Sequence, residues 1–202
     1  MTSAPLRLPP HAPGLRIGIF GGSFDPPHRG HALASRLALT RLRLDRIWWL
    51  VTPGNPLKDT SGLASLDARM AAARRLADDP RIVVTDIEAQ IGSRYTAQTL
   101  RFLHRRCPGA KLVWIMGADN LLQFDRWRDW EEIMRTTPVA VIDRPGATLK
   151  ASSAKAAQRF PRAWLAEQDA CLLAQAKPPA LVYLHGPRSA LSSTELRRRS
   201  GR

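Results

Sequence analysis

Hydrophobic residues along the chain fall into short unbroken runs, separated by stretches with a helical stripe. The first run is LRIGIF, residues 15–20, and the second is RIWWLV, Arg46–Val51, stopped by Pro53-Gly54. RIVVT (Arg81–Thr85), KLVWIM (Lys111–Met116), VAVI (Val139–Ile142) and LVYL (Leu181–Leu184) follow. Runs of this length bounded by turn residues read as strands buried on both faces. Between them, His31–Leu44 carries Leu33, Leu37 and Leu44 with Ala34 and Ala38, a helical stripe. Leu66–Ala77 is an alanine-rich helix closed by Asp79-Pro80, and Thr96–Arg106 is a helix ended by Pro108-Gly109. Strands alternating with such helices predict βαβ units: an α/β fold with a doubly wound, largely parallel sheet of six strands.

Two segments lie outside this rhythm. Residues 147–178 are alanine-rich without a strand signal and are expected as a helical insert before the last strand. Residues 1–14 are proline-rich, lack the apolar stretch of a secretory signal, and are expected as a flexible leader to one domain over 15–202.

Composition narrows the class. Apolar residues make up 44% of the 202, enough for a real core and against disorder. No run of about 18 apolar residues suggests a membrane span. Cys107 and Cys171 sit apart from each other and from any metal-ligand spacing, which suits a reducing cytoplasm. The net charge of +14 invites a nucleic-acid reading. Yet Arg36, Arg41, Arg43, Arg46, Arg69, Arg74, Arg75, Arg101, Arg105 and Arg106 are scattered over the helices and connections and form no aromatic-laced stripe. They are expected as solvated surface with a general attraction for anions.

In a doubly wound sheet, ligands sit at the carboxyl ends of the strands. GIFGGSFDPPHRGH, residues 18–31, occupies that position after the first strand. Gly21 and Gly22 allow close backbone approach, Pro26 and Pro27 stiffen the turn, and His28 and His31 share one side of a helical turn. The glycines do not form the dinucleotide fingerprint. Three readings stand: a tight turn with two capping histidines, a zinc pair lacking a third ligand, and a phosphate cradle at a helix start with imidazole donors. Near the other end, Ser192 and Glu195 have capping-box spacing, which predicts a helix from Ser193 with free amides and Arg197 one turn in.

SFDPPHRGH resembles the GxFDPxHxGH signature of the HxGH nucleotidyltransferase superfamily. LVTPGNPLK (50–58), SRYTAQTL (93–100), WIMGADNLLQFDRWRDW (114–130) and LSSTELR (191–197) resemble, in order, further motifs of bacterial nicotinate-nucleotide adenylyltransferases. The matches span residues 17–197. The resemblance implies a Rossmann-like fold and adenylyl transfer from ATP to nicotinate mononucleotide, giving deamido-NAD and pyrophosphate with Mg²⁺ in the cytoplasm. It implies no membrane and no specific nucleic-acid partner, and leaves room for a homo-oligomer. ATP is expected at Gly21, Gly22, Ser23, Phe24, His28, Gly30, His31, Gly117, Asp119, Ser192, Ser193, Thr194 and Arg197. His28, His31 and Arg197 are expected to act on the phosphates, with no protein metal ligand. Nicotinate mononucleotide is expected at Asp25, Lys58, Thr85, Tyr95, Thr96, Trp127 and Arg144. Trp127 would stack on the pyridinium, with core packing as the alternative; Asp119 would take a ribose hydroxyl, with a helix N-cap as the alternative. Leu57 stands where the family writes histidine, and the chain continues only five residues past Arg197, so the family's closing segment is expected to be short or absent. A sister activity on nicotinamide mononucleotide or phosphopantetheine remains open, although the GADN…W block argues against the latter. A basic nucleic-acid binder would explain the charge but not two phosphate-type helix starts.

Overall fold

Alternation within the strands sends neighbouring side chains to opposite faces of one sheet. Trp48 packs on one side with Ile19, Trp114 and Val141, and Trp49 on the other with Phe20, Ile115 and Ala140. Both indoles are fully buried, so this sheet is covered on both faces. The computed structural model describes residues 6–54, 62–143 and 154–186. Its strands are β1 (Arg16–Gly22), β2 (Arg46–Val51), β3 (Ile82–Thr85), β4 (Lys111–Gly117), β5 (Val139–Ile142), β6 (Trp164–Leu165) and β7 (Leu181–Leu184). They form one seven-stranded sheet in the order β3-β2-β1-β4-β5-β7-β6, and every pairing is parallel. Helices α1 (Arg29–Arg41) and α2 (Leu66–Leu76) cover one face through Ala38, Leu39, Met70 and Ala73. Helices α4 (Thr96–Arg106) and α6 (Trp130–Thr136) cover the other through Leu100, Leu103, Ile133 and Met134. The doubly wound α/β expectation therefore holds.

Differences from the expected elements have local causes. β1 runs two residues further, because Gly21 and Gly22 stay in register with Leu50 and Val51 of β2. Helix α1 begins at Arg29 rather than His31, with His28 as its N-cap residue. It ends at Arg41 rather than Leu44, because Leu42 caps it and Arg43 turns left-handed at φ 50°. The described part of the expected insert contains α7 (Lys155–Arg159), two 3-10 segments and, against expectation, strand β6. Two residues are too short for any periodicity to show; β6 exists because it pairs with Leu181 and Val182 of β7. Residues 8–14 of the expected leader lie on the body: Leu8 packs against the core, the His11 ring meets Trp48 edge-on at 6.2 Å, and the Gly14 amide donates to the Gly109 carbonyl at 2.9 Å. No helix among the described residues is long and apolar enough to cross a membrane.

Of the scattered arginines, Arg36, Arg41 and Arg101 pair at the surface with Asp78, Glu167 and Glu132. Such pairs contribute about 0–1 kcal/mol each and leave the fold to its core.

Candidate active site

Chain order reverses between β1 and β4: β2 and β3 lie to one side of β1, and β5 and β7 beyond β4. That switch point opens a crevice at the carboxyl edge of a doubly wound sheet. A cavity of about 310 Å³ lies there. Gly21, Gly22 and Ser23 line it from the end of β1, Thr52 and Gly54 from the loop after β2, and Asn120 from helix α5 (Ala118–Leu121) after β4. Trp114 closes its apolar side. Its indole Cη2 stands 2.7 Å from where a Cβ on Gly21 would be, so any side chain at 21 would push the ring aside. The close approach that Gly21 permits is thus made by an indole of the protein's own core.

The segment from Ser23 to His31 is shaped by packing. Phe24 is fully buried at φ 48°, a left-handed conformation rare for a bulky residue. Its ring stacks on Trp49 at 5.0 Å and lies 4.8 Å from His31, so the surrounding aromatics hold the strained backbone in place. His28 and His31 are 5% and 7% exposed, with ring centroids 3.9 Å apart. The His28 amide donates to His31 Nδ1 at 3.2 Å, and the His31 amide donates to the His28 carbonyl at 2.8 Å. Because Nδ1 accepts, a neutral His31 carries its proton on Nε2, where it is a donor. Capping and donation to a phosphate therefore use different atoms of the same ring. Neither histidine lines the cavity; both stand beside it at the start of α1, with Gly30 in that first turn. The described residues contain no group of three or more metal-ligating side chains, so the zinc reading finds no third ligand among them.

Of the residues expected at the acceptor, Tyr95, Thr96 and Trp127 line the cavity. Tyr95 is the N-cap residue of α4 and Thr96 its first residue. Trp127 is extended, between a 3-10 turn (Phe124–Arg126) and α6, and meets Trp114 and Phe124 edge-on at 6.1 and 5.3 Å. It is both packed and cavity-facing, so its two readings are compatible. Trp130 packs on Phe124 and Phe160 away from the cavity. Thr85 does not line it: its hydroxyl accepts the Ile87 amide at 3.2 Å, serving the start of helix α3 (Ile87–Gln90). Asp25 is 6% exposed and accepts the Ala64 amide at 3.4 Å. Gly117 is the N-cap residue of α5, so Asp119 is not, and Asp119 is exposed outside the cavity lining. Lys58, Arg144, Ser192, Ser193, Thr194 and Arg197 lie outside the described residues.

Two buried charges escaped the sequence reading. Arg69, one of the charges expected on the surface, is 3% exposed. Its guanidinium donates to the carbonyls of Ala64 (2.9 Å), Ser23 (2.8 Å), Thr52 (2.7 Å) and Pro53 (3.5 Å), tying the loops after β1 and β2 to the start of α2. Burial lowers its pKa and the Asp25 charge opposes that. Glu88 on α3 lines the cavity and is 6% exposed; burial pushes its carboxyl above the ordinary range, against the Thr52 and Thr99 hydroxyls. Arg94, Arg126 and Arg128 line the cavity from exposed positions, the last with its guanidinium 4.9 Å from the Tyr95 ring centroid. Glu88 follows closely on the end of β3, and Arg94, Arg126 and Arg128 lie within matched motifs; nothing in the sequence sets Arg69 apart from Arg74 and Arg75.

Comparison with known proteins agrees with this architecture. A profile of the cytidylyltransferase-like family matches residues 19–199. A protein of Methylorubrum extorquens, named "Probable nicotinate-nucleotide adenylyltransferase", is 64% identical over 185 residues, 92% of this chain and 100% of its own. A protein of the same name from Agrobacterium fabrum is 56% identical over 181 residues, 90% of this chain and 97% of its own. The solved Plasmodium falciparum nicotinic acid mononucleotide adenylyltransferase complexed with NaAD has a TM-score of 0.66 at 18% identity, covering 91% of this chain and 83% of that one, a likeness of fold. With most of its length matched, this chain belongs to the cytidylyltransferase-like family and, within it, to the nicotinate-nucleotide adenylyltransferases.

Proposed function

We propose that the protein transfers the adenylyl group of ATP to nicotinate mononucleotide, giving deamido-NAD and pyrophosphate in NAD biosynthesis in the cytoplasm. One observation carries the reading: a single cavity at the switch point brings the glycine loop of β1 together with Tyr95, Thr96 and Trp127. A phosphate oxygen of the mononucleotide attacks the α-phosphorus of ATP in line. The new P–O bond forms as the bond to the bridging oxygen breaks, and pyrophosphate leaves with the electron pair. The attacking oxygen is already anionic, so no general base is required, and the enzyme's contribution is positioning and charge stabilisation. His31 Nε2–H and the first amides of α1 are suited to donate to phosphate oxygens. His28 stands beside them, and Arg197, through the sequence motif that contains it, grips the polyphosphate. Mg²⁺ carried in on ATP neutralises phosphate charge; it favours phosphate oxygens and water over an all-protein cage.

The test is pyrophosphate release with ATP and each of nicotinate mononucleotide, nicotinamide mononucleotide and phosphopantetheine. A site with backbone N–H donors accepts both carboxylate oxygens of nicotinate, whereas an amide would turn an NH₂ against a donor. That mismatch costs about 1–3 kcal/mol, a preference of roughly 10- to 150-fold in kcat/KM for nicotinate mononucleotide. Equal use of both pyridine nucleotides would move the protein to the sister activity. Trp127→Ala should weaken both acceptors by about 0.5–2 kcal/mol and leave the KM for ATP alone, since stacking reads the ring and not its substituent. An unchanged acceptor KM would return Trp127 to a packing role.

A further inference from the structure

Charge in the cavity is sorted by depth. Arg94, Arg126 and Arg128 are exposed around it, while the carboxyl of Glu88 is buried. Two aromatic faces, Tyr95 and Trp127, share the same walls. A buried carboxyl with no cation against it is costly to hold ionised, and hydroxyl donors compensate it only in part.

The donors reaching Glu88 are few and shared. Thr99 Oγ1 donates to Glu88 Oε1 at 3.2 Å, with the Tyr95 carbonyl a second acceptor for its single proton at 3.4 Å, and stands 2.9 Å from Ser93 Oγ. The Thr52 hydroxyl also bonds to Glu88, but its single proton has a second acceptor in the Gly54 carbonyl at 3.1 Å. Among the described residues no charged side chain compensates this carboxyl. Ser93 also holds the backbone bearing Tyr95 and Thr96: its amide donates to the Glu88 carbonyl at 2.8 Å, and its hydroxyl to the Tyr95 carbonyl at 3.2 Å.

We propose that Glu88 is the counter-charge to the pyridinium ring of the acceptor, a specificity-determining residue that makes the cavity prefer a cationic ring to a neutral one. The inference rests on the reading of this cavity as the nicotinate mononucleotide site. Nicotinate mononucleotide is itself sorted in charge: a cationic ring flanked by a carboxylate and a phosphate. A buried carboxylate with two π-faces suits the ring. Exposed arginines suit the anionic ends. The compensating cation that Glu88 lacks among the described residues then arrives with the substrate.

Titration calorimetry without ATP tests this, using nicotinate mononucleotide and its 1,4-dihydro form. The two share phosphate and carboxylate and differ in ring charge. Wild type should bind the oxidised form at least about tenfold tighter, the worth of one charge-assisted contact. Glu88→Gln should shrink that ratio to what stacking alone gives, and should melt no lower at neutral pH, since an amide replaces a carboxyl that burial disfavours. Glu88→Asp, which keeps the charge, should keep most of the ratio. Wild type binding both forms equally would overturn the proposal whatever the variants do. Equal weakening of both forms by Glu88→Gln would also overturn it, making the residue a hydroxyl acceptor. If wild type makes deamido-NAD from ATP and nicotinate mononucleotide while the ratio ignores position 88, only this inference fails. A protein that neither binds the mononucleotide nor makes deamido-NAD fails the functional reading itself.

Discussion

His31→Ala is expected to lower kcat by about 10²–10³, the cost of removing one preorganised donor to a transferring phosphoryl group. The KM for nicotinate mononucleotide should change little, because the ring lies outside the residues lining the cavity. Two structural losses accompany the change. The His28 amide loses its acceptor at Nδ1, which costs about 1 kcal/mol of capping. Phe24 loses the ring 4.8 Å from its own, on a backbone already held at positive φ. Both lower the melting temperature by a few degrees and neither removes catalysis at temperatures where the fold is intact. Steady-state kinetics well below the melting transition therefore separate the roles. Near-normal turnover there would leave His31 as a capping residue alone.

Arg69→Met should cost about 3–5 kcal/mol, because four carbonyls lose a buried charged donor and the charge of Asp25 loses an attractive cation. For a chain of this length that is a fall of roughly 10 °C in melting temperature. The loss should also reach activity, since Ser23 and Thr52 line the cavity and are fixed through their carbonyls by this one guanidinium. Arg69→Lys should recover little of either, as a single ammonium cannot span carbonyls that a planar fork reaches together. Differential scanning calorimetry beside an activity assay decides: an Arg69→Met protein with an unchanged transition would show that the loops are held by other means.

Much of the molecule follows from local pattern. Four of the strands, β2, β4, β5 and β7, begin where their apolar runs begin, because a strand buried on both faces must be apolar along its length. Helix α4 has the bounds that its stripe and the Pro108-Gly109 stop imply. The glycine loop was legible too, since glycines, prolines and paired histidines after a first strand have little use in a core. What sequence alone missed depends on contacts between distant residues. β6 exists only because β7 offers it an edge. Arg69 sits in a helix with Arg74 and Arg75 and reads like them; three carbonyls from loops 16 to 46 residues away make it a buried staple. Thr85 is expected at the acceptor, but the chain turns at once into α3 and takes its hydroxyl for the Ile87 amide. Glu88 is one glutamate on a four-residue helix, and only the convergence of β2, α3 and α4 buries it against a cavity. The layers, the parallel sheet and the family are written in periodicity and motifs, which are properties of neighbours along the chain. Which charges are buried and what faces the cavity follow from packing between distant residues, because desolvation is set by whatever folds over a residue from elsewhere.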